Sequence, residues 1–169
     1  MRILEIGAGS GDNLLFFKRT GIKWENIYAN EIMENRVELL RENLPTATIL
    51  PGNALDITYG HFDVVFQSTV FSSILSPEMK VKLAEKLSEM TNSGGIILWY
   101  DFKYDNPANK NVKGVKKKEI RKLFPNAKKI EFHNVTLAPP IGRRIGKFYN
   151  FINTIFPFLR THIIAAIHN

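Results

Sequence analysis

Three glycines alternate at positions 7, 9 and 11, directly after the apolar run Ile3-Leu4-Glu5-Ile6, and Glu31 closes a second apolar run that begins at Ile27. A strand that empties into backbone without side chains lets a ligand lie against the chain. A carboxylate at the end of the next strand accepts hydrogen bonds from two neighbouring hydroxyls, as on a ribose. With Asn53-Ala54 after a third short run, these residues outline a pocket for an adenosine. The glycine spacing, G-A-G-S-G, departs from the dinucleotide fingerprint, whose third glycine would fall where Asp12 stands. An acid at the mouth of the following helix also repels a pyrophosphate, which speaks against a nicotinamide oxidoreductase. Further along, Arg143-Arg144 follow Pro139-Pro140 and offer two guanidiniums to a phosphate or carboxylate. The histidines are scattered without the spacing of a zinc site, and Asp105-Asn106 reads as a turn, so no metal is expected.

Such residues need a frame that gathers strand ends. Ile3 to Ile6 reads as a buried strand; a helix opens at Asp12 or Asn13, carries Leu14, Leu15 and Phe17, and stops near Thr20-Gly21. Ile27 to Asn30 is a second strand, after which Met33, Val37, Leu40 and Leu44 share one helical face, and Thr46 to Leu50 is a third strand. FDVVFQ, residues 62–67, is a continuous apolar strand of the kind buried in parallel sheets. Ser76-Pro77 starts a helix with a capping hydroxyl and a proline, and its buried face is expected to hold Met79, Leu83, Leu87 and Met90. After Gly94-Gly95, residues 96–102 form a fifth strand, 116–124 a lysine-rich helix, and 128–137 and 161–167 two further strands. This alternation predicts an α/β architecture, mostly parallel, with helices on both faces. Residues 139–160 are expected as a helical insertion between the last two strands.

A chain of 169 residues suits one domain able to bury its own core, and no repeat or low-complexity tract interrupts it. The absence of cysteine excludes disulfides, thiolate metal sites and cysteine nucleophiles; it fits a reducing compartment, and the expected location is cytoplasmic. Lys and Arg outnumber Asp and Glu by 23 to 16, a net charge of +7 that favours phosphates or anionic lipid head groups. No reader motif accompanies that charge, so no specific nucleic acid is expected as partner. The start reads as free of a signal peptide, and the most apolar stretch, 148–159, is broken by Asn150, Asn153 and Pro157 and too short to be transmembrane. Its Phe148, Phe151, Ile152, Ile155, Phe156 and Leu159 serve core packing or a homodimer contact in the plain reading. The functional reading makes them a wall for a lipid-linked acceptor, in peripheral contact with a membrane.

LEIGAGSG, Glu31, the GNALD loop and FDVVFQSTVFSSI occur in the order of the motifs of class I S-adenosylmethionine-dependent methyltransferases, and the sequence resembles that family through most of its length. More narrowly, QSTVFSSIL, LWYDFKYDNP, IRKLFP, VTLAPPIGRR and LRTHIIAAI resemble a bacterial subgroup associated with polysaccharide or lipopolysaccharide gene clusters. The resemblance implies a Rossmann-like fold spanning 1–169: a seven-stranded sheet ordered 3-2-1-4-5-7-6, with strand seven antiparallel. It implies S-adenosylmethionine as cofactor, with Glu5 compensating the ammonium of its methionine moiety and the backbone of Gly7, Ala8, Gly9 and Gly11 under methionine and ribose. Glu31, with Ile32 beside it, would hold the ribose diol, Asn53 the adenine amino group and Ala54 the ring, while Gln67 would sit beside the transferring methyl. The family often has Asp at position 53, but an amide oxygen accepts the same hydrogen bond. A small-molecule, sugar or lipid-linked acceptor would meet Tyr100, Arg143 and Arg144.

Methyl transfer from a sulfonium is an in-line displacement in which the protein mainly supplies position. A hydroxyl acceptor also needs a base, for which Asp101 leads, ahead of His61, His133 and Tyr100. Gln67-Ser68-Thr69 stands where amino-group methyltransferases acting on DNA or glutamine carry an Asp-Pro-Pro-Tyr type of motif, which argues against nucleobase amine and protein amide acceptors; oxygen is the expected methylated atom. Family members usually place one or two helices before the first strand, whereas Met1 here lies two residues ahead of Ile3. The competing expectation is therefore a truncated, non-catalytic scaffold or cofactor-binding relic.

Overall fold

The computed structural model describes every residue except 59, 108, 138–141 and 143. Along the chain come β1 (Ile3–Ile6), α1 (Asp12–Arg19), β2 (Ile27–Glu31), α2 (Glu34–Asn43), β3 (Thr48–Pro51), β4 (Phe62–Ser68) and α3 (Pro77–Met90). They are followed by β5 (Thr91–Phe102), α4 (Lys117–Leu123), β6 (Lys129–Leu137), α5 (Tyr149–Ile155) and β7 (Arg160–His168). The strands form one seven-stranded sheet in the order β3-β2-β1-β4-β5-β7-β6. Strands β1 to β5 pair in parallel, and β7 runs antiparallel to both β5 and β6. This is the Rossmann-like sheet that the family resemblance implied.

Every residue of β1 and β2 is buried, which is why neither strand alternates between apolar and polar. On one face Ile3, Leu14, Ile27, Leu40, Leu44 and Phe66 pack beneath α1 and α2. On the other, Leu4, Val65, Leu83, Leu87, Trp99 and Ile120 pack beneath α3 and α4. Helix α3 starts as the sequence dictates: the Ser76 hydroxyl accepts from the Met79 N–H at 3.2 Å, with Pro77 in the first turn.

Four details differ from expectation. Met33 and Met79 are exposed: Met33 caps the start of α2 and Met79 lies in the first turn of α3, both beside the carboxyl edge of the sheet, where no element among the described residues covers them. The third strand lies at Thr48–Pro51, two residues later at its start than the apolar run suggested, in register with Tyr28 to Glu31 of β2. β5 begins at Thr91, well before Ile96, and its pairing with β4 jumps from Phe62↔Thr91 to Val64↔Ile96. The two glycines expected to break the chain serve a bulge there: Gly94 has φ +80°, and a Cβ on Gly95 would stand 2.9 Å from the Asn92 carbonyl oxygen.

Because β6 runs the same way as β5, its end at Leu137 pairs with the start of β7 at Arg160 on the edge that carries the carboxyl ends of β1, β2 and β4. The described part of the 139–160 segment stands at that edge. The Leu137 N–H donates to the Tyr149 hydroxyl at 3.1 Å, and the Arg160 guanidinium donates to the carbonyls of Asn153 (2.9 Å) and Asn134 (3.2 Å). Among the described residues, no helix is long and apolar enough to cross a membrane.

Candidate functional site

β1 delivers the chain into its glycine turn at the centre of the sheet. Gly7, Gly9 and Gly11 all have positive φ, at +66°, +59° and +90°, a conformation that side chains strain to adopt. Their missing side chains do different jobs. A Cβ on Gly7 would press to 2.7 Å from Val70 Cγ2, and one on Gly11 to 2.9 Å from Leu44 Cδ1, whereas one on Gly9 would meet nothing within 4 Å. Two glycines therefore let protein pack against the turn, and the middle one faces open space. The Ala8 N–H donates to the Asn30 carbonyl at 2.8 Å, tying the turn to β2.

Glu31 meets this turn directly. One carboxylate oxygen accepts from the Gly9 N–H at 2.9 Å, and the other from the N–H groups of Ile32 and Met33 at 2.9 and 3.0 Å. The side chain is almost wholly buried, with the Arg36 guanidinium 3.9 Å away. Glu5, fully buried in β1, is less well provided for. Its Oε1 accepts from the Asn13 side-chain amide at 2.7 Å, while its Oε2 has no hydrogen-bond partner. Burial pushes its carboxyl up to about 8; the charges of Asp12 and Glu31 add to the rise, and the Asn13 bond opposes it. A buried acid with an unused oxygen has acceptor capacity for a cation, although Glu5 lines neither cavity beside the turn.

Beside the turn lies a cavity of about 270 Å³ whose lining includes Gly7, Ile32, Asn53, Ala54, Val70 and Met79. Asn30 shapes it: its amide donates to the carbonyls of Leu50 and Gly52, both at 2.9 Å, so that β2 fixes the loop that ends in Asn53. Asn53 caps the turn Ala54–Asp56 by accepting from the Leu55 N–H at 3.1 Å. Asn30 and Val70 were not expected at the site, and Met79 was expected on the buried face of α3; for Asn30 the available signal is an amide at the end of an apolar strand. Of the expected site residues, Gly7, Ile32, Asn53 and Ala54 line this cavity, Gly9 and Glu31 meet in the turn beside it, Ala8 and Gly11 belong to the same turn, and Glu5, two residues before Gly7, does not line it.

A second cavity of about 340 Å³ opens between α1 and the sheet, its lining including Asn13, Phe16, Phe66, Ser68, Leu98 and Tyr100. Asn13 thus borders this cavity and holds Glu5. Tyr100 shares a 3.1 Å hydrogen bond with the Thr136 hydroxyl and stacks on His162 with ring centroids 5.2 Å apart. Burial raises the Tyr100 phenol above its usual range. Gln67 lines neither cavity: fully buried, it accepts from the Val70 N–H at 3.0 Å and donates to the Tyr100 carbonyl at 3.4 Å. Asp101 also lines neither. Its oxygens accept from the N–H groups of Ser72 (3.0 Å) and Phe102 (2.9 Å), and burial lifts its carboxyl to about 6. Arg144 is exposed, and Arg143 lies outside the described residues, as do Pro139 and Pro140. Among the described residues, no group of three His, Cys, Asp or Glu side chains is placed to hold a metal ion.

Residues 3–95 match the family model described as methyltransferase domain. An uncharacterized protein of Rickettsia prowazekii (strain Madrid E) is 31% identical over 102 residues, a stretch covering 56% of this chain and 40% of that protein, so the match spans less than half of the relative's length. In fold, the chain is similar to a SAM-dependent methyltransferase from Archaeoglobus fulgidus, with a TM-score of 0.73 at 14% identity over 99% of this chain and 86% of that one. It is also similar to the magnesium protoporphyrin IX methyltransferase of Synechocystis PCC 6803, solved with bound SAH, with a TM-score of 0.69 at 12% identity over 100% of this chain and 74% of that one. The family match covers more than half of the sequence and takes in the glycine turn, both carboxylates and the cavity beside them, and on that ground the chain belongs to the methyltransferase domain family.

Proposed function

We propose that the chain methylates an ionised oxygen, a carboxylate or an acidic hydroxyl, on an acceptor whose apolar part enters the cavity between α1 and β5. One observation carries this reading: among the described residues lining that cavity, Tyr100 is the sole titratable side chain, and burial raises its phenol away from the basic form. An acceptor that arrives ionised needs no base, since its oxygen already holds the lone pair that displaces the sulfur.

In this reading Glu5 takes the ammonium of the cofactor, the turn at Gly9 takes its backbone, and Glu31 takes the ribose with the acceptor capacity that three backbone N–H groups leave unused. Asn53, Ala54 and Ile32 frame the adenine. When bound, S-adenosylmethionine supplies an electrophilic methyl on a sulfonium. The chain's own part is to bind, orient and keep water out: Asn13 fixes the Glu5 carboxylate on one side and borders the acceptor cavity on the other. Gln67 and Asp101 are positioning residues, holding Val70 and the turn Phe71–Ser73 against the strand ends. Arg144 is available to the anionic acceptor from the exposed edge. Polysaccharide or cell-envelope biosynthesis rests on the sequence resemblance alone.

The test uses S-adenosylmethionine labelled in its methyl group, incubated with polar and lipid fractions of a cell extract. Label that enters an acceptor and is released by mild alkali as methanol, the behaviour of a methyl ester, supports the reading. Alkali-stable label on nitrogen would overturn it, and no transfer to any fraction would favour the non-catalytic relic instead.

A further inference from the structure

α5 is built inside out. Its side toward the sheet carries the polar contacts, Tyr149 accepting from Leu137 and the Asn153 carbonyl accepting from Arg160. Phe148, Phe151 and Ile155, spaced to fall on one stripe of the helix, are all exposed. Phe158, just beyond, is 72% exposed. No residue of α5 or of the short turns flanking it is buried. A solvated helix normally shows the reverse pattern.

The charge around this stripe is one-sided. No Asp or Glu follows Glu131 in the sequence, while exposed Arg144 and Lys147 flank the aromatics, and the whole chain carries +7. Aromatic and aliphatic side chains beside cations, with no carboxylate among them, complement a surface that is negative outside and apolar just beneath. We infer that this face docks on an anionic lipid bilayer, with Phe148, Phe151, Ile155 and Phe158 entering the acyl boundary and Arg144 and Lys147 meeting the head groups. α5 stands on the same edge of the sheet as the glycine turn and the strand ends, so docking turns that edge toward the bilayer. The inference does not depend on the methylated atom, and its readout needs no cofactor.

Flotation with vesicles tests it. The protein should float with vesicles of phosphatidylcholine mixed with phosphatidylglycerol, stay behind with phosphatidylcholine alone, and detach in high salt. The double substitution Phe151→Ser with Phe158→Ser should weaken partition about a hundredfold, with S-adenosylhomocysteine binding retained as evidence of folding. Phe158→Trp adds an indole whose emission brominated acyl chains in the anionic vesicles should quench, while the parent protein shows no comparable quenching of Trp24 and Trp99. Three results would each overturn the inference: no flotation with anionic vesicles, flotation unchanged by the double substitution, or a dimer in sedimentation equilibrium that the same substitution dissociates. The last would make a second copy the occupant of this face.

Discussion

Burial lifts the Glu5 carboxyl to about 8, which favours its protonated form at neutral pH in the free protein. An ammonium docked at its unpartnered oxygen favours the ionised form, so S-adenosylhomocysteine binding at pH 7 is expected to release about one proton. Calorimetry in buffers of different ionisation enthalpy measures this, and adenosine, which lacks the amine, should release none. Glu5→Gln keeps an oxygen for Asn13 but loses the charge, and should cost about 2 kcal/mol of S-adenosylhomocysteine affinity while leaving adenosine unaffected. Glu31→Ala should weaken both ligands, since both carry the ribose, and should also destabilise the fold by about 2 kcal/mol because the N–H groups of Gly9, Ile32 and Met33 lose their acceptor. Glu31 was legible in the sequence as the last residue of the second strand, and Glu5 only through the family resemblance. Whether an acid lies open or sealed is decided by what folds over it, so the sequence did not distinguish Asp101, pinned beneath Ser72, from a base at a cavity wall.

The glycine turn and the helices it joins form the next scale, and here like residues are expected to behave unlike. Gly11→Ala must strain a backbone at φ +90° and push against Leu44 and Leu40, and should cost about 3 kcal/mol, read as a fall of several degrees in Tm. Gly9→Ala meets no protein atom, so its stability loss should stay near ~1 kcal/mol from the backbone alone, while its loss of cofactor affinity should be larger than that of the Gly11 variant. Thermal melts and titrations on the two variants check the contrast. The strand-turn-helix pattern was visible from residues 3–20, yet the division of labour among the glycines was not, because it depends on Val70 and Leu44, which come from other elements. Met79 was misplaced for a related reason: periodicity assigns it to the buried stripe of α3, but the stripe runs out over the cavity before it meets a partner.

Across the whole molecule, the two raised carboxyls set how stability follows pH. Burial lifts the carboxyls of Glu5 and Asp101 to about 8 and about 6 in the folded protein, against ordinary values of 4.5 and 3.8. Their stabilising contribution is complete below the unfolded values and is lost as pH rises through the folded ones. Asp63 and Glu131 shift downward but are partly exposed and act below this range, so they offset little of it. Burial holds His162 below its usual range, and this opposes part of the trend, since its contribution grows as pH rises. The Tm of the free protein should therefore fall between pH 5 and pH 8 by this account, and Glu5→Gln should flatten the upper part of the slope. Strand order was recoverable through the family resemblance, since an alternating pattern alone allows several doubly wound arrangements; the antiparallel β7, entered through α5, is the feature that local pattern least reveals. The orphaned oxygen of Glu5 has one more consequence, for turnover. Under the proposed arrangement it faces the end of the donor that reaction leaves unchanged, so the spent nucleoside should keep nearly the same grip as the fresh one. Product then accumulates against its own by-product, and a nucleosidase added to the reaction should restore a progress curve that has levelled off.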